Sequence, residues 1–344
     1  MTTKPLASRQ YTIEDPYEAI EFCHRMGWTD GLPVIPPTEE RVRQFLDYAG
    51  RSPSDVIGVE PTKGKVITVE KVAINAVMAG CLAEYLPVVL AAVEAMARDS
   101  FNLHAISVST AGAAVLAVVN GPIARDLGMN AAVSLFGAGP RPNACIGRAL
   151  RLVIMNVTGA RPGELDKATL GHPGKYSYCI AEREEASPWE PLHVERGLPR
   201  GGSAVSVFAA LSPWQFSNST ASSPEVILSG IADTMKGIGP QQGEVVLVMS
   251  PEHLFHIRKT GWSKGQVKEF VFRKAQRTVH EWIETGKLDD VPAGKRADDM
   301  LGVLREPRSL TVIVAGGDAG GNSAIIGIWG GGTNSRSVTV EVRR

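Results

Sequence analysis

The chain has little that would place it in a familiar class at once. Its four cysteines, Cys23, Cys81, Cys145 and Cys179, are scattered over 344 residues with no Cys-x-x-Cys pair. A chain of this length builds a core without disulfides, so the spacing fits a reducing compartment and excludes a disulfide scaffold. Charge of one sign is absent too: Lys plus Arg is 36 and Asp plus Glu is 36. That balance argues against broad electrostatic binding to nucleic acid or to an anionic membrane. No apolar run approaches the roughly 18 residues of a spanning helix, and Met1-Thr2-Thr3-Lys4-Pro5 carries no apolar signal core. A cytoplasmic location is expected by elimination.

What is present is the patterning of a globular α/β protein. Hydrophobic residues make up 44% of the chain and charged residues 21%, ordinary proportions for a packed fold. Asp15 before Pro16 opens a helix over residues 16–25, because a side-chain cap and a proline at the first helical position both favour a start. Residues 27–37 hold two glycines and three prolines, which forbid regular structure. Helical apolar spacing recurs over 70–81, 86–98, 143–157, 224–235, 251–259 and 264–285. Residues 66–69, 104–109, 113–119, 204–211, 244–250, 310–315, 324–329 and 337–342 read as strands. This alternation predicts an α/β fold with mixed sheets, flanking helices and two lobes. The expected division is a helical and extended segment over 1–65, a first α/β lobe over 66–203 carrying a polar loop, and a second over 204–344 with Gly-rich terminal strands. The halves bear a faint resemblance, each running from helical pairs to a strand and a glycine turn.

Chemistry-bearing residues concentrate between Asn143 and Arg196. His172, Lys175, Cys179, His193 and Glu195 lie in one polar stretch, and imidazole and carboxylate are the usual proton carriers near neutral pH. Set as a strand, His193 and Glu195 would face one way, and His172 and Cys179 could complete a metal shell. No zinc spacing such as HExxH supports that, so no metal ligand set is assigned, with zinc or iron left open. Cys81, Cys145 and Cys179 lack the close spacing of cluster ligands; Cys81 and Cys145 read better as small core residues on helices, and Cys179, in a polar context, as the better candidate for a reactive thiol.

Three further places could hold a ligand. Gly137 to Asn143 enters a helix whose free N–H groups, with Arg141, Asn143 and Arg148, suit an anion. The serine-rich loop after residue 211 offers Trp214 and Asn218. Gly316, Gly317 and Asn322 sit in a Gly-rich run after an apolar strand. A strand follows that run where a dinucleotide fold needs a helix, so a standard Rossmann reading fails, and close backbone approach better explains the glycines. GxxxxGK[ST] and GxSxG are missing as well.

Residues 27–34 (Gly-Trp-Thr-Asp-Gly-Leu-Pro-Val), 75–81 (Asn-Ala-Val-Met-Ala-Gly-Cys), 171–175 (Gly-His-Pro-Gly-Lys) and 250–253 (Ser-Pro-Glu-His) together resemble a poorly characterised bacterial family associated with Sec/Cys-Gly-Ser-Cys (seleno)proteins. The resemblance spans nearly the whole chain and brings no activity with it. The Cys-Gly-Ser-Cys motif itself is missing here; what the resemblance implies is a thiol or redox connection.

The leading expectation is an enzyme without an organic cofactor, a lyase or hydratase acting on a small carboxylate-bearing substrate. In it His172 and His193 exchange protons, Glu195 orients one of them, and Lys175 or Arg148 holds the anion. A thiol-dependent redox component using Cys179, working with a redox partner protein, is one alternative. A non-enzymatic binding or assembly protein is another. The Gly-rich C-terminal strands leave room for a homodimer.

Overall fold

A computed structural model describes residues 4–343. It opens with helices α1 (Pro16–Arg25) and α2 (Glu39–Tyr48), then a hairpin of strands β1 (Val56–Glu60) and β2 (Lys65–Thr68). Helices α3 (Val69–Met78), α4 (Leu86–Met96) and α5 (Leu103–Val108) lead into strand β3 (Ala114–Asn120). After α6 (Pro122–Asp126) and α7 (Arg141–Asn156) come strand β4 (Cys179–Ala181), helix α8 (Leu192–Glu195) and strands β5 (Ala204–Ala210) and β6 (Trp214–Ser217). The second half runs α9 (Pro224–Met235), β7 (Val245–Met249), α10 (Pro251–Lys259), α11 (Lys264–Lys274), β8 (Gln276–Thr278), α12 (Val279–Glu284), β9 (Met300–Gly302), β10 (Leu310–Val314), β11 (Asn322–Gly327) and β12 (Val338–Glu341).

The α/β expectation holds. Two mixed four-stranded sheets form, ordered β12-β5-β3-β4 and β10-β7-β11-β6. Each has one parallel pair, β3 with β4 and β7 with β10, and two antiparallel neighbours beyond it. Alternate residues of the second sheet enter different cores, as a period of two requires. Val245, Leu247, Met249, Val312 and Val314 pack beneath α9 to α12. Val246, Val248, Ile313, Ala324 and Ile326 join the core of the first sheet. Helix α4 lies on β5 and β12, and α7 on β3 and β4. The layers are therefore helices, sheet, sheet, helices.

The resemblance between halves has a topological basis. In each half a strand runs through a helical crossover to a parallel neighbour, and the next strand returns antiparallel on the other side. The fourth strand then leaves for the other sheet: β6 pairs with β11, and β12 pairs with β5. The first sheet thus draws β5 and β12 from beyond residue 203, and its strands do not follow the chain halves. Neither sheet can open without breaking a pairing to a strand supplied by the other half. Calorimetry should accordingly give one unfolding transition, with equal calorimetric and van't Hoff enthalpies. Two resolved transitions would mean that the lobes melt separately.

Several elements differ from the sequence expectation. Residues 103–108 are a helix, not a strand, with Leu103, Ile106 and Ser107 buried at helical spacing. The expected helix over 264–285 stops at Lys274, and β8 precedes α12, whose start is set by the reciprocal Thr278–Glu281 capping box. Helix α7 starts at Arg141, two residues before the expected start at 143, which puts Asn143 inside its first turn.

Candidate functional site

Strands β3 and β4 are parallel, with Val119 opposite Ala181 on their last shared rung. One rung further sets Asn120 beside Glu182, at the carboxyl ends where ligands of α/β sheets commonly bind. The Asn120 Nδ2 donates to Glu182 Oε2 at 2.7 Å and to Glu184 Oε1 at 3.1 Å. Glu184 Oε1 also accepts from the Gly121 N–H at 2.7 Å. Gly121 has φ 85°, and a Cβ added there would run into the backbone of Gly202 and Ser203, so no side chain fits. The Leu192 N–H donates to Glu182 Oε2 at 2.8 Å, tying α8 to the end of β4.

That tie turns His193 inward. It is fully buried, and its Nδ1 lies 3.9 Å from Glu184 Oε1. Neither ring nitrogen has a hydrogen-bond partner in the protein. The same is true of Glu182 Oε1 and Asn120 Oδ1. Six enclosed side-chain polar atoms lack such a partner among the described residues, and four of them belong to these three side chains. Native proteins pair nearly all their buried polar atoms, so a concentration of exceptions calls for an explanation. Burial pushes the Glu182 carboxyl up from its usual value. The Lys264 charge, the Leu192 N–H and the Asn120 amide pull it down without cancelling the rise.

A neighbouring ionic group, with Lys264 in the field of Glu182, is completed by the second half. Lys264 Nζ donates to Glu195 Oε2 at 3.0 Å and to the Glu190 carbonyl at 2.7 Å, and Lys268 Nζ binds Glu195 Oε1. All three side chains are at least three-quarters buried. Burial lowers the Lys268 ammonium, with Glu195 opposing that shift. Burial also raises Glu195, but the charges and hydrogen bonds of Lys264 and Lys268 outweigh it and leave the carboxyl low.

The other sequence-predicted residues lie elsewhere. His172 Nε2 is 3.3 Å from the Ala210 carbonyl, and Ala210 pairs with Ala114 at the opposite end of β3 from Asn120. Six residue steps of strand separate the two ends, roughly 20 Å at about 3.3 Å per residue. The expectation that His172 and His193 exchange protons is therefore corrected. His193 and Glu195 are on a helical turn, not a strand, so residues two apart diverge and the metal-shell pairing fails. Among the described residues no group of three His, Cys, Asp or Glu side chains is placed to hold a metal ion.

The two expected anion holders already hold protein groups. Lys175 Nζ binds both oxygens of Asp166 at 2.7 and 2.8 Å, and Arg151 binds the same carboxylate at 3.0 Å. The cavity that Lys175 and Arg151 line is about 20 Å³, space on the order of a single water. Arg148 grips Asp30 with two 2.8 Å bonds and donates to the Leu32 and Pro33 carbonyls. Arg141 binds the Gly80 carbonyl, and Asn143 clasps the backbone of Asn130 and the Cys179 carbonyl. The helix entry is thus spent on internal contacts.

Cys179 is buried on β4, and burial pushes its thiol up to about 12, the setting of an inert structural cysteine. Trp214 is half exposed on the edge strand β6. The Asn218 side chain closes a turn through the Thr220 and Ala221 N–H groups, and its carbonyl lies 3.0 Å from His253 Nε2. Asn322 Oδ1 accepts from Ser217 at 2.6 Å and Gln215 at 3.1 Å. Gly316 and Gly317 are closer to the site: the Gly316 carbonyl accepts from Arg183, the residue after Glu182, at 3.2 Å. Gly317 packs on Val133, and the Gly316 N–H donates to the Ala131 carbonyl. Close backbone approach occurs in this loop at Gly321, where an added Cβ would meet the Asn218 carbonyl.

No family model, curated protein or solved structure matches this chain. The site therefore stands on its own geometry. Of the residues singled out from sequence, it keeps His193 and Glu195. It adds Asn120, Glu182, Glu184, Lys264 and Lys268. A usable signal for Asn120 was its place at the end of an apolar strand; Glu182 follows a strand too short to read from sequence. None existed for the lysines, which lie 69 and 73 positions from Glu195.

Proposed function

We propose that the chain is a small-molecule enzyme of the lyase or hydratase type, acting on a carboxylate-bearing substrate at the Asn120–Glu182–His193 cluster. The observation that carries this reading is the enclosure, without partners, of both imidazole nitrogens beside an unpartnered carboxyl oxygen. A site that exchanges protons needs a base and an acid held apart in protonation state, in a place that water does not freely enter. His193 supplies the base, and Glu184 at 3.9 Å steadies the imidazolium that forms. Glu182, raised by burial, supplies the acid. Asn120 orients the two carboxyls through its amide. In the elimination direction His193 takes the proton from the carbon next to the substrate carboxylate. Glu182 gives its proton to the departing hydroxyl, water leaves and a carbon–carbon double bond forms. Lys264 and Lys268, two ammonium groups on the single carboxylate of Glu195, supply positive field for the anion.

The test is proton NMR in D2O with a panel of 3-hydroxycarboxylic acids, whose hydroxyl is on the carbon next to the one deprotonated. The expected result is loss of the Cα–H signal, or growth of alkene protons, for at least one acid. Glu182→Gln and His193→Leu should each slow it by about a hundredfold or more, the usual worth of a general acid or base. A panel that exchanges nothing, or variants as fast as the parent, would sink the reading.

A further inference from the structure

A solvent-open cavity on the N-terminal side involves none of the cluster residues above. It is a cavity of about 530 Å³ between residues 6–13, helices α1 to α3 and the end of α7. That is the size of a small-molecule site, and it is walled as such sites are, largely by apolar and aromatic groups. Tyr11, Phe22 and Trp28 stand around one another with ring centres 5.0 to 5.8 Å apart and tilted planes, offering edges and faces to a further ring. Asn156 fixes this wall by donating to the Trp28 carbonyl at 2.9 Å and to Asn75 Oδ1 at 2.8 Å.

The segment over the cavity is pinned, not adventitious. Glu70, 3% exposed, accepts from the Ala7 and Ser8 N–H groups at 2.9 and 2.7 Å. Gln10 Nε2 reaches Glu39 at 2.8 Å. Charge on the lining is lopsided. Glu39 is the acidic member, and Arg43 already neutralises it at 2.6 and 2.8 Å. Arg9 lies 5.1 Å from the Tyr11 ring centre and Lys71 Nζ reaches Ser8 Oγ at 3.1 Å; neither forms an ion pair with a carboxylate among the described residues. Arg9 and Lys71 thus stand on the lining of an aromatic cavity without a direct ion-pair partner among the described residues, Lys71 within the field of the Glu70 carboxylate.

We infer that this cavity is a binding site for an aromatic carboxylate, its ring among Tyr11, Phe22 and Trp28 and its carboxylate between Arg9 and Lys71. Ring burial supplies the bulk of the affinity. The two cations select the anion over a neutral molecule of the same shape.

The experiment is isothermal titration with 2-naphthoate and, as its neutral counterpart, 2-naphthalenemethanol. The full chain should bind one equivalent of 2-naphthoate. Its affinity should exceed that for the alcohol by about tenfold or more and weaken as salt rises. In the double variant Arg9→Gln, Lys71→Gln the preference should vanish while the alcohol binds as before. That retained binding also shows that the variant is folded. Equal affinity for both probes in the parent, insensitivity to salt, or no saturable 2-naphthoate binding would overturn the inference.

Discussion

Replacing Asp166 with Ala should destabilise the chain by about 3–5 kcal/mol, the cost typical of removing one partner from a buried ionic group. Its carboxylate holds Lys175 through two bonds and Arg151 through a third. The three side chains are only 4, 14 and 11% exposed, so two cations would be left enclosed without their counterion. The loss should appear as a lower denaturant midpoint at unchanged slope. The same ion group predicts an acid limb. Burial raises Asp166, but the Lys175 bond, the Ala168 N–H and the charges of Lys175 and Arg151 outweigh it and leave the carboxyl low. Its contribution is complete above the unfolded value of about 3.9 and is lost as pH falls through the lower folded value. The parent should therefore lose its advantage over Asp166→Ala under acid. A variant as stable as the parent at neutral pH would show that Asp166 is not the counterion described.

Elements with a chemical start signal were legible from sequence. Ser223 before Pro224 and Ser250 before Pro251 open α9 and α10 where expected, each serine accepting from an N–H three residues on. Apolar strands such as β3 and β5 were legible because every residue is buried. The three-residue β4 was not, since so short a run in a polar stretch carries no period. Residues 103–108 misled because β-branched and apolar residues suit both states, and burial of Leu103, Ile106 and Ser107 decided for a helix. The swapped pairing of β6 and β12 follows from contacts between distant strands that a local pattern does not encode. For the site, composition pointed to the right stretch but not to its members. His172 and His193 are near in sequence, yet they leave β4 in opposite directions along the sheet.

Replacing His193 with Leu should leave stability unchanged or raise it, by up to about 1–3 kcal/mol. An enclosed polar atom without a partner costs free energy of that order, and an apolar group of similar shape removes the cost. A structural imidazole would behave oppositely, because its loss would strand the groups bonded to it. Glu182→Gln should show a related effect with a defined pH sense. The folded carboxyl is raised by burial, so its ionisation opposes folding. The penalty is absent below the unfolded value of about 4.3, grows as pH rises from there and is complete above the folded value. The stability of Glu182→Gln relative to the parent should therefore improve with rising pH. Functional sites commonly keep such locally unfavourable groups, and variants that remove them gain stability as they lose activity.

If His193 is held beside Asn120 and Glu182 for proton transfer, as proposed, its removal costs the fold nothing. The most direct measurement is equilibrium unfolding of His193→Leu beside the parent at neutral pH. The expected midpoint is equal to or above that of the parent. A loss of about 2 kcal/mol or more, on the order of what stranding a buried hydrogen-bond partner costs, would make His193 a structural residue and contradict the proposal.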